Sequence, residues 1–213
     1  MYEAGCREIH YGIESGNPQI LRELGKGITL DEVREATTWT TQAGILAKGY
    51  FMLGLPGDTE ETMEETIAFA SELEIDQAMF SLTTPFPGTR LWEELVTRQP
   101  EVAFDQDFSQ AYYYTTNRDR LIEPFLNVSQ VSDARLAQLV QEAPVRFEEA
   151  KRRKKYVRAL GGFLGNLLYD LSNVAWLRRL GHRLLRLRLL ERIPGLNELG
   201  AYDWREEYQK KWS

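Results

Sequence analysis

The chain has 213 residues, 43% hydrophobic and 27% charged, with a formal net charge of −6, a balance that fits one globular domain or one domain plus an extension. A single cysteine excludes a disulfide framework and fits a reducing compartment. No apolar run reaches the ~18 residues of a transmembrane helix, and the opening Met-Tyr-Glu-Ala-Gly-Cys-Arg-Glu lacks the features of a signal peptide, so the expectation is a cytoplasmic protein. The charge is unevenly placed. Residues 1–150 hold 11 Lys+Arg against 26 Asp+Glu, and residues 151–213 hold 15 against 6. So acidic a body argues against a nucleic-acid surface. The basic end suits the acidic body itself or, through residues 151–192, peripheral contact with an anionic membrane.

Residues 7–14 alternate, with Ile9, Tyr11 and Ile13 on one face and Glu8, His10, Gly12 and Glu14 on the other, as a strand does. Asn17-Pro18 opens a short helix, Gln19 to Leu24. Thr29 with Glu32 forms a capping box for a helix that runs to about Gln42 and stops at Gly44. Ile45 to Leu55 is the next strand. Asp58 or Thr59 caps a helix with four early glutamates, where the dipole favours them, and Ile67, Ala70 and Leu73 face inward. Asp76 to Thr84 is a third strand and Thr89 to Val96 a further helix. Strands alternating with helices through short links imply parallel strands and right-handed crossovers. With three such units rather than eight, the expected fold is α/β: an arc of a (β/α) TIM-type barrel, about three parallel strands, followed by a helical C-terminal extension. Residues 100–128 read as irregular and aromatic, including Tyr112, Tyr113 and Tyr114. Ser132 caps a polar helix from Asp133 to about Tyr156 that Pro144 should kink or split. Beyond it, leucines recur at helical spacing among arginines, interrupted by Gly161-Gly162 and Gly165 and ended at Ile193-Pro194-Gly195. The domain reading is therefore 1–98, 99–156 and 157–213.

Polar residues and glycines gather where each strand ends, which is where α/β barrels build sites. Parity puts Tyr50, Met52 and Gly54 on one face, opposite Phe51, Leu53 and Leu55, and Met79, Ser81 and Thr83 opposite Ala78, Phe80 and Leu82. The apolar sets suit a helix layer and the mixed sets a lumen, although one bulge reverses the assignment. Glu14 could accept hydrogen bonds from an ammonium or a ribose hydroxyl, with Ser15 adding another, or it could serve the helix behind Pro18. Gly54 and Gly57 bracket Pro56, which suits either a close ligand or a tight turn. Ser81, Thr83 and Thr84 read as ordinary strand residues or as a pocket lining, and Pro85 to Thr89 as a stiff turn. His10, mid-strand, reads as a core histidine, His182 as solvated or lipid-facing, and Cys6 as a buried small hydrophobe. No Cys/His spacing suits zinc or an iron–sulfur cluster.

Together the motifs Ala4-Gly5-Cys6, Gly12-Ile-Glu-Ser-Gly16, Gly25-Lys-Gly-Ile-Thr29, Gly44-Ile45, Phe51-Met-Leu-Gly-Leu-Pro-Gly-Asp-Thr59 and Pro85-Phe-Pro-Gly-Thr89 resemble, in order and spacing, the C-terminal half of a radical S-adenosylmethionine (radical SAM) domain. The nearest resemblance is to the cobalamin-binding group typified by the anaerobic magnesium-protoporphyrin cyclase, over residues 4–96. The resemblance implies a six-stranded partial barrel of which these are the fourth to sixth strands. It implies that Glu14 and Ser15 help bind the methionyl or ribose part of SAM. It implies that Gly54, Leu55, Pro56 and Gly57 run beside the adenosine, and that Thr83 to Pro85 close the pocket. It also implies reductive cleavage of SAM by a 4Fe-4S cluster, giving a 5′-deoxyadenosyl radical, and cobalamin held by an N-terminal domain.

The cluster-binding CxxxCxxC of that family is absent from this sequence. The expectation is an enzyme fragment whose partner is the missing N-terminal half, in the same polypeptide or a split one, acting on a small-molecule substrate. The alternative is a non-catalytic half-barrel that serves as a binding module.

Overall fold

The computed structural model describes residues 1–103, 107–108 and 124–173. Expectations for Tyr112–Tyr114, His182 and the helix beyond residue 173 lie outside the described residues. The described chain falls into two units, Met1–Phe147 and Glu148 onward.

The first unit follows the expected order: β1 (Glu8–Glu14), α1 (Pro18–Glu23), α2 (Leu30–Gln42), β2 (Leu46–Leu53), α3 (Glu60–Glu72), β3 (Gln77–Leu82), α4 (Arg90–Arg98) and a 3-10 turn (Pro100–Ala103). The strands form one parallel sheet in the order β1-β2-β3. This is an α/β arc of three strands with a helical extension after it. Alternation fixes the faces: in β2, Ala47, Gly49, Phe51 and Leu53 are buried and the residues between them only partly so. Phe51 stacks on Phe80 at 5.3 Å between centroids. Helix α3 turns Ile67, Ala70 and Leu73 into the same core. The opposite face carries Lys48, Tyr50, Met52, Gln77 and Met79, mixed and half-buried, as expected of a lumen face.

Local signals account for the helix starts. The Asn17 side chain accepts from Gln19 and Ile20 N–H at α1, and Pro18 fills the first helical turn. Thr29 and Glu32 form the expected capping box. At α3 the N-cap is Thr59, reciprocated by Thr62, and Asp58 has another task described below.

Of the kink or split expected at Pro144, the split does not occur: helix α5 (Asp133–Leu160) continues through it. Its buried face, Leu136, Ala137, Leu139, Val140, Ala143 and Phe147, continues on both sides of the proline, and tertiary packing of that stripe outweighs the one lost backbone hydrogen bond. Arg135 and Arg146 secure α5 to the acidic start of α3, at 2.7 Å from Glu60 and 2.6 Å from Glu64 respectively.

In the second unit the end of α5 meets α6 (Gly162–Ser172) across Gly161, whose φ of 80° makes the turn. Gly165 lies flat on α5: a Cβ there would come within 2.6 Å of the Tyr156 carbonyl oxygen. No helix among the described residues is long and apolar enough to cross a membrane.

Candidate functional site

The C-terminal ends of the three strands are built differently. At β1 the register slips between Gly12 and Glu14. Glu14 takes a left-handed backbone, φ 71°, and is the only non-glycine residue to do so among the described residues. That conformation costs a residue with a Cβ about 1–3 kcal/mol and is typical of functional turns. The Glu14 carboxylate folds back over Gly12, where a Cβ would meet Oε1 at 2.9 Å and the Lys26 ammonium at 3.3 Å. Lys26 Nζ donates to Glu14 Oε1 at 2.9 Å, and both side chains stay partly accessible, 34% and 22%. Lys26 sits between Gly25 and Gly27, both left-handed, φ 66° and 67°. Sequence reasoning missed it as a site residue; its signal was the Gly-Lys-Gly triplet.

Ser15 does not share that surface. It is 1% exposed. Its Oγ accepts from Asn17 N–H at 3.1 Å and is hydrogen-bonded to the Thr66 hydroxyl at 3.2 Å. Gly16 follows against α3, where a Cβ would lie 2.6 Å from the Phe69 Cβ and 2.7 Å from the Thr66 Cα. Ser15 and Gly16 therefore bolt the turn to α3, and Glu14 alone projects from it.

At β2 the turn is organised from inside by Asp58, 1% exposed. Its Oδ2 accepts from the Gly54 and Leu55 N–H groups at 3.1 and 2.8 Å, and its Oδ1 from the Thr62 hydroxyl at 2.8 Å. Burial pushes the Asp58 carboxyl above its usual range, opposed by those same hydrogen bonds. Gly54 and Gly57 both have φ of 84°. A Cβ on Gly54 would strike Leu136 of α5 at 2.8 Å, and one on Gly57 would meet Glu23 at 3.0 Å. Leu55 is core, 2% exposed, and Pro56 is half-buried.

At β3, Thr83 continues past the strand, its N–H donating to the Leu53 carbonyl at 2.9 Å. Thr83 is 4% exposed, and its Oγ1 is the one buried side-chain polar atom without a hydrogen-bond partner among the described residues. Pro85 is buried. Glu14 is on one outer strand and Thr83 just past the other, two strand spacings across and three residues further along, since Glu14 is level with Phe51 and Phe80, so their backbones are roughly 14 Å apart.

Below this rim, His10 corrects its expectation. It is not a core residue: its side chain is 48% exposed, with Nε2 2.6 Å from Glu8 Oε1 and Nδ1 3.1 Å from the Tyr50 hydroxyl. An alternating strand in an open arc places an even-numbered residue on the lumen face whatever its polarity. Cys6 also departs from expectation. It is half-buried, with Sγ 3.7 Å from the Glu8 carbonyl, because it precedes β1 rather than packing beneath the sheet. No group of three or more His, Cys, Asp or Glu side chains among the described residues could hold a metal ion.

Comparison with known proteins gives a consistent picture. Residues 1–70 match the model of the radical SAM superfamily. An uncharacterized methyltransferase of Pyrococcus horikoshii is 35% identical over 147 residues, 69% of this chain and 30% of that protein. The bacteriochlorophyllide d C-12(1)-methyltransferase of Chlorobaculum tepidum is 32% identical over 133 residues, 60% of this chain and 29% of the relative. The anaerobic magnesium-protoporphyrin IX monomethyl ester cyclase of Cereibacter sphaeroides is 36% identical over 93 residues, 44% of this chain and 15% of the relative. The chain thus spans less than a third of the length of each of these relatives.

Proposed function

We propose, from the membership of this chain in the radical SAM superfamily, that it forms one side of an S-adenosylmethionine pocket in a radical SAM enzyme. The observation that carries the reading is Glu14, strained, partly accessible and paired with Lys26 at the end of an outer strand. A carboxylate beside an ammonium complements the zwitterionic head of an amino acid. Glu14 would take the ligand ammonium or a ribose hydroxyl, and Lys26 would take the ligand carboxylate. The orphaned Thr83 hydroxyl would gain its missing partner from the other end of the ligand, since a buried polar group left unpaired costs about 1–3 kcal/mol. Gly54 to Gly57 and Pro85 would shape the wall between, and Ser15 would hold Glu14 in place from behind.

The family implies SAM and a 4Fe-4S cluster, which together would supply radical chemistry. The cluster does not fit the residues of this chain: its one cysteine, Cys6, is half-buried beside a backbone carbonyl. The cluster loop and the remaining strands would come from the rest of the enzyme, in the same polypeptide or a split partner, with this chain as a fragment of the whole. The substrate would be a small molecule. The names of the relatives make a methyl transfer or ring closure the leading reaction classes, with cobalamin supplied by a further domain.

Titration calorimetry of SAM into the complete enzyme tests the pocket. Glu14→Ala is expected to weaken binding about tenfold or more, the loss of one charged hydrogen-bond partner, without unfolding the protein. Unchanged affinity refutes the assignment, and a complete protein that binds no SAM at all favours the binding-module reading.

A further inference from the structure

Polar residues run across the lumen face of the sheet below the rim. His10, Lys48 and Gln77 are cross-strand partners, one from each strand. Lysine is depleted in strands, yet Lys48 stands half-buried in the middle one. Its neighbours are already committed. The His10 ring is held at both nitrogens, by Glu8 Oε1 at 2.6 Å and by the Tyr50 hydroxyl at 3.1 Å. Lys48 Nζ instead lies over the Tyr50 ring, 5.5 Å from its centroid, and has no carboxylate within ion-pair distance among the described residues.

We infer that Lys48 binds a carboxylate of the substrate. In the open arc water serves the ammonium. Once further strands close the lumen, an ammonium without an anion is costly, since lysine is almost never buried unpaired. One compact ammonium balances one negative charge, which fits a carboxylate; phosphate sites draw on several donors at once. The residues between Lys48 and the rim say what carries that carboxylate. Tyr50, Met52 and Met79 share the face and are half-buried, and Gly12, level with Tyr50, leaves its place on β1 without a side chain. They make an apolar, adaptable wall. Glu14 is level with Phe51, so Lys48 lies three residues, about 10 Å, below it along the sheet. The substrate class is an amphipathic carboxylic acid, its apolar body against Tyr50 and the methionines and its carboxylate at Lys48. This deepens the proposed function and rests on it, because only the complete barrel closes the lumen.

Equilibrium dialysis of octanoate and of octanamide against the complete enzyme tests it. Octanoate is expected to bind more tightly than the amide. Lys48→Met should weaken octanoate about tenfold, the loss of one charged partner, and leave the amide, SAM affinity and melting temperature as they are. Glu14→Ala should do the reverse, weakening SAM and sparing octanoate, so the two readings fail separately. Octanoate that binds no better than octanamide, or that Lys48→Met leaves unchanged, overturns the inference even where SAM binds as expected. So does a melting temperature lowered by Lys48→Met in an enzyme that binds no octanoate, which would assign Lys48 to an ion pair inside the complete protein. Octanoate weakened by Lys48→Met while Glu14→Ala leaves SAM unchanged upholds the carboxylate site and refutes only the role of Glu14.

Discussion

The turns after β1 and β2 begin alike, at the ends of adjacent parallel strands and each with a left-handed residue, yet they spend that geometry in opposite ways. After β2 the left-handed positions are glycines, the one buried carboxylate is satisfied by two backbone N–H groups and a hydroxyl, and Leu136 fills the space beside Gly54. After β1 the left-handed position is a glutamate, its carboxylate is partly accessible, and its hydrogen-bonded partner among the described residues is a lysine on a glycine-flanked loop. The β2 turn relieves its local demands and the β1 turn leaves one standing. Strain and charge kept at a surface without structural return are what a ligand-binding position looks like.

If the β2 turn is architecture, breaking its centre should cost the fold. Asp58→Ala strands the Gly54 and Leu55 N–H groups in a buried site, and a loss of about 3 kcal/mol is expected, read as a denaturant midpoint shift. A loss under about 1 kcal/mol would mean that the turn is not organised by its carboxylate. The back of the β1 turn should behave similarly but less severely. Gly16→Ala drives a methyl group into the Phe69 and Thr66 backbone region, for an expected loss of about 2–3 kcal/mol.

The smallest expected effect is a pH dependence. Asp58 binds its proton more tightly in the folded chain than in the unfolded one, so its contribution to stability falls as pH rises from its ordinary value near 3.8 through the raised folded value. Asp58→Asn can keep the hydrogen-bonded frame but does not titrate. Relative to it, the parent chain should lose stability as pH rises from about 4 toward neutrality. Parallel stability profiles for the two proteins would remove desolvation as the cause of the shift.

Much of the scaffold was legible in the sequence. Period-two alternation gave three strands, Thr29 with Glu32 gave a capping box, and Ile67, Ala70 and Leu73 gave the inward face of α3. These are local patterns that tertiary structure only had to accept. That Pro144 does not split α5 could not be foreseen, because the buried stripe continuing on both sides of it depends on what α5 packs against. His10 was misread because a mid-strand position says which face a residue takes but not whether that face is covered. The site was half legible. Glu14 stood out as a carboxylate at a strand end, whereas its left-handed backbone required the β-bulge to be seen. Lys26 was hidden because its partner lies 12 residues away, and Ser15 differs from Glu14 only in a side-chain direction that a one-residue bulge decides.

The most direct test of the contrast between the turns is to measure SAM affinity and melting temperature together for Glu14→Asn in the complete enzyme. Asparagine accepts the left-handed backbone more readily than glutamate but is too short to reach Lys26 and carries no charge. The expected result is an affinity loss of about tenfold or more with stability unchanged or raised by up to about 1 kcal/mol. Unchanged affinity, or a fall in stability comparable to that of Asp58→Ala, would make the β1 turn architecture like its neighbour and contradict the account.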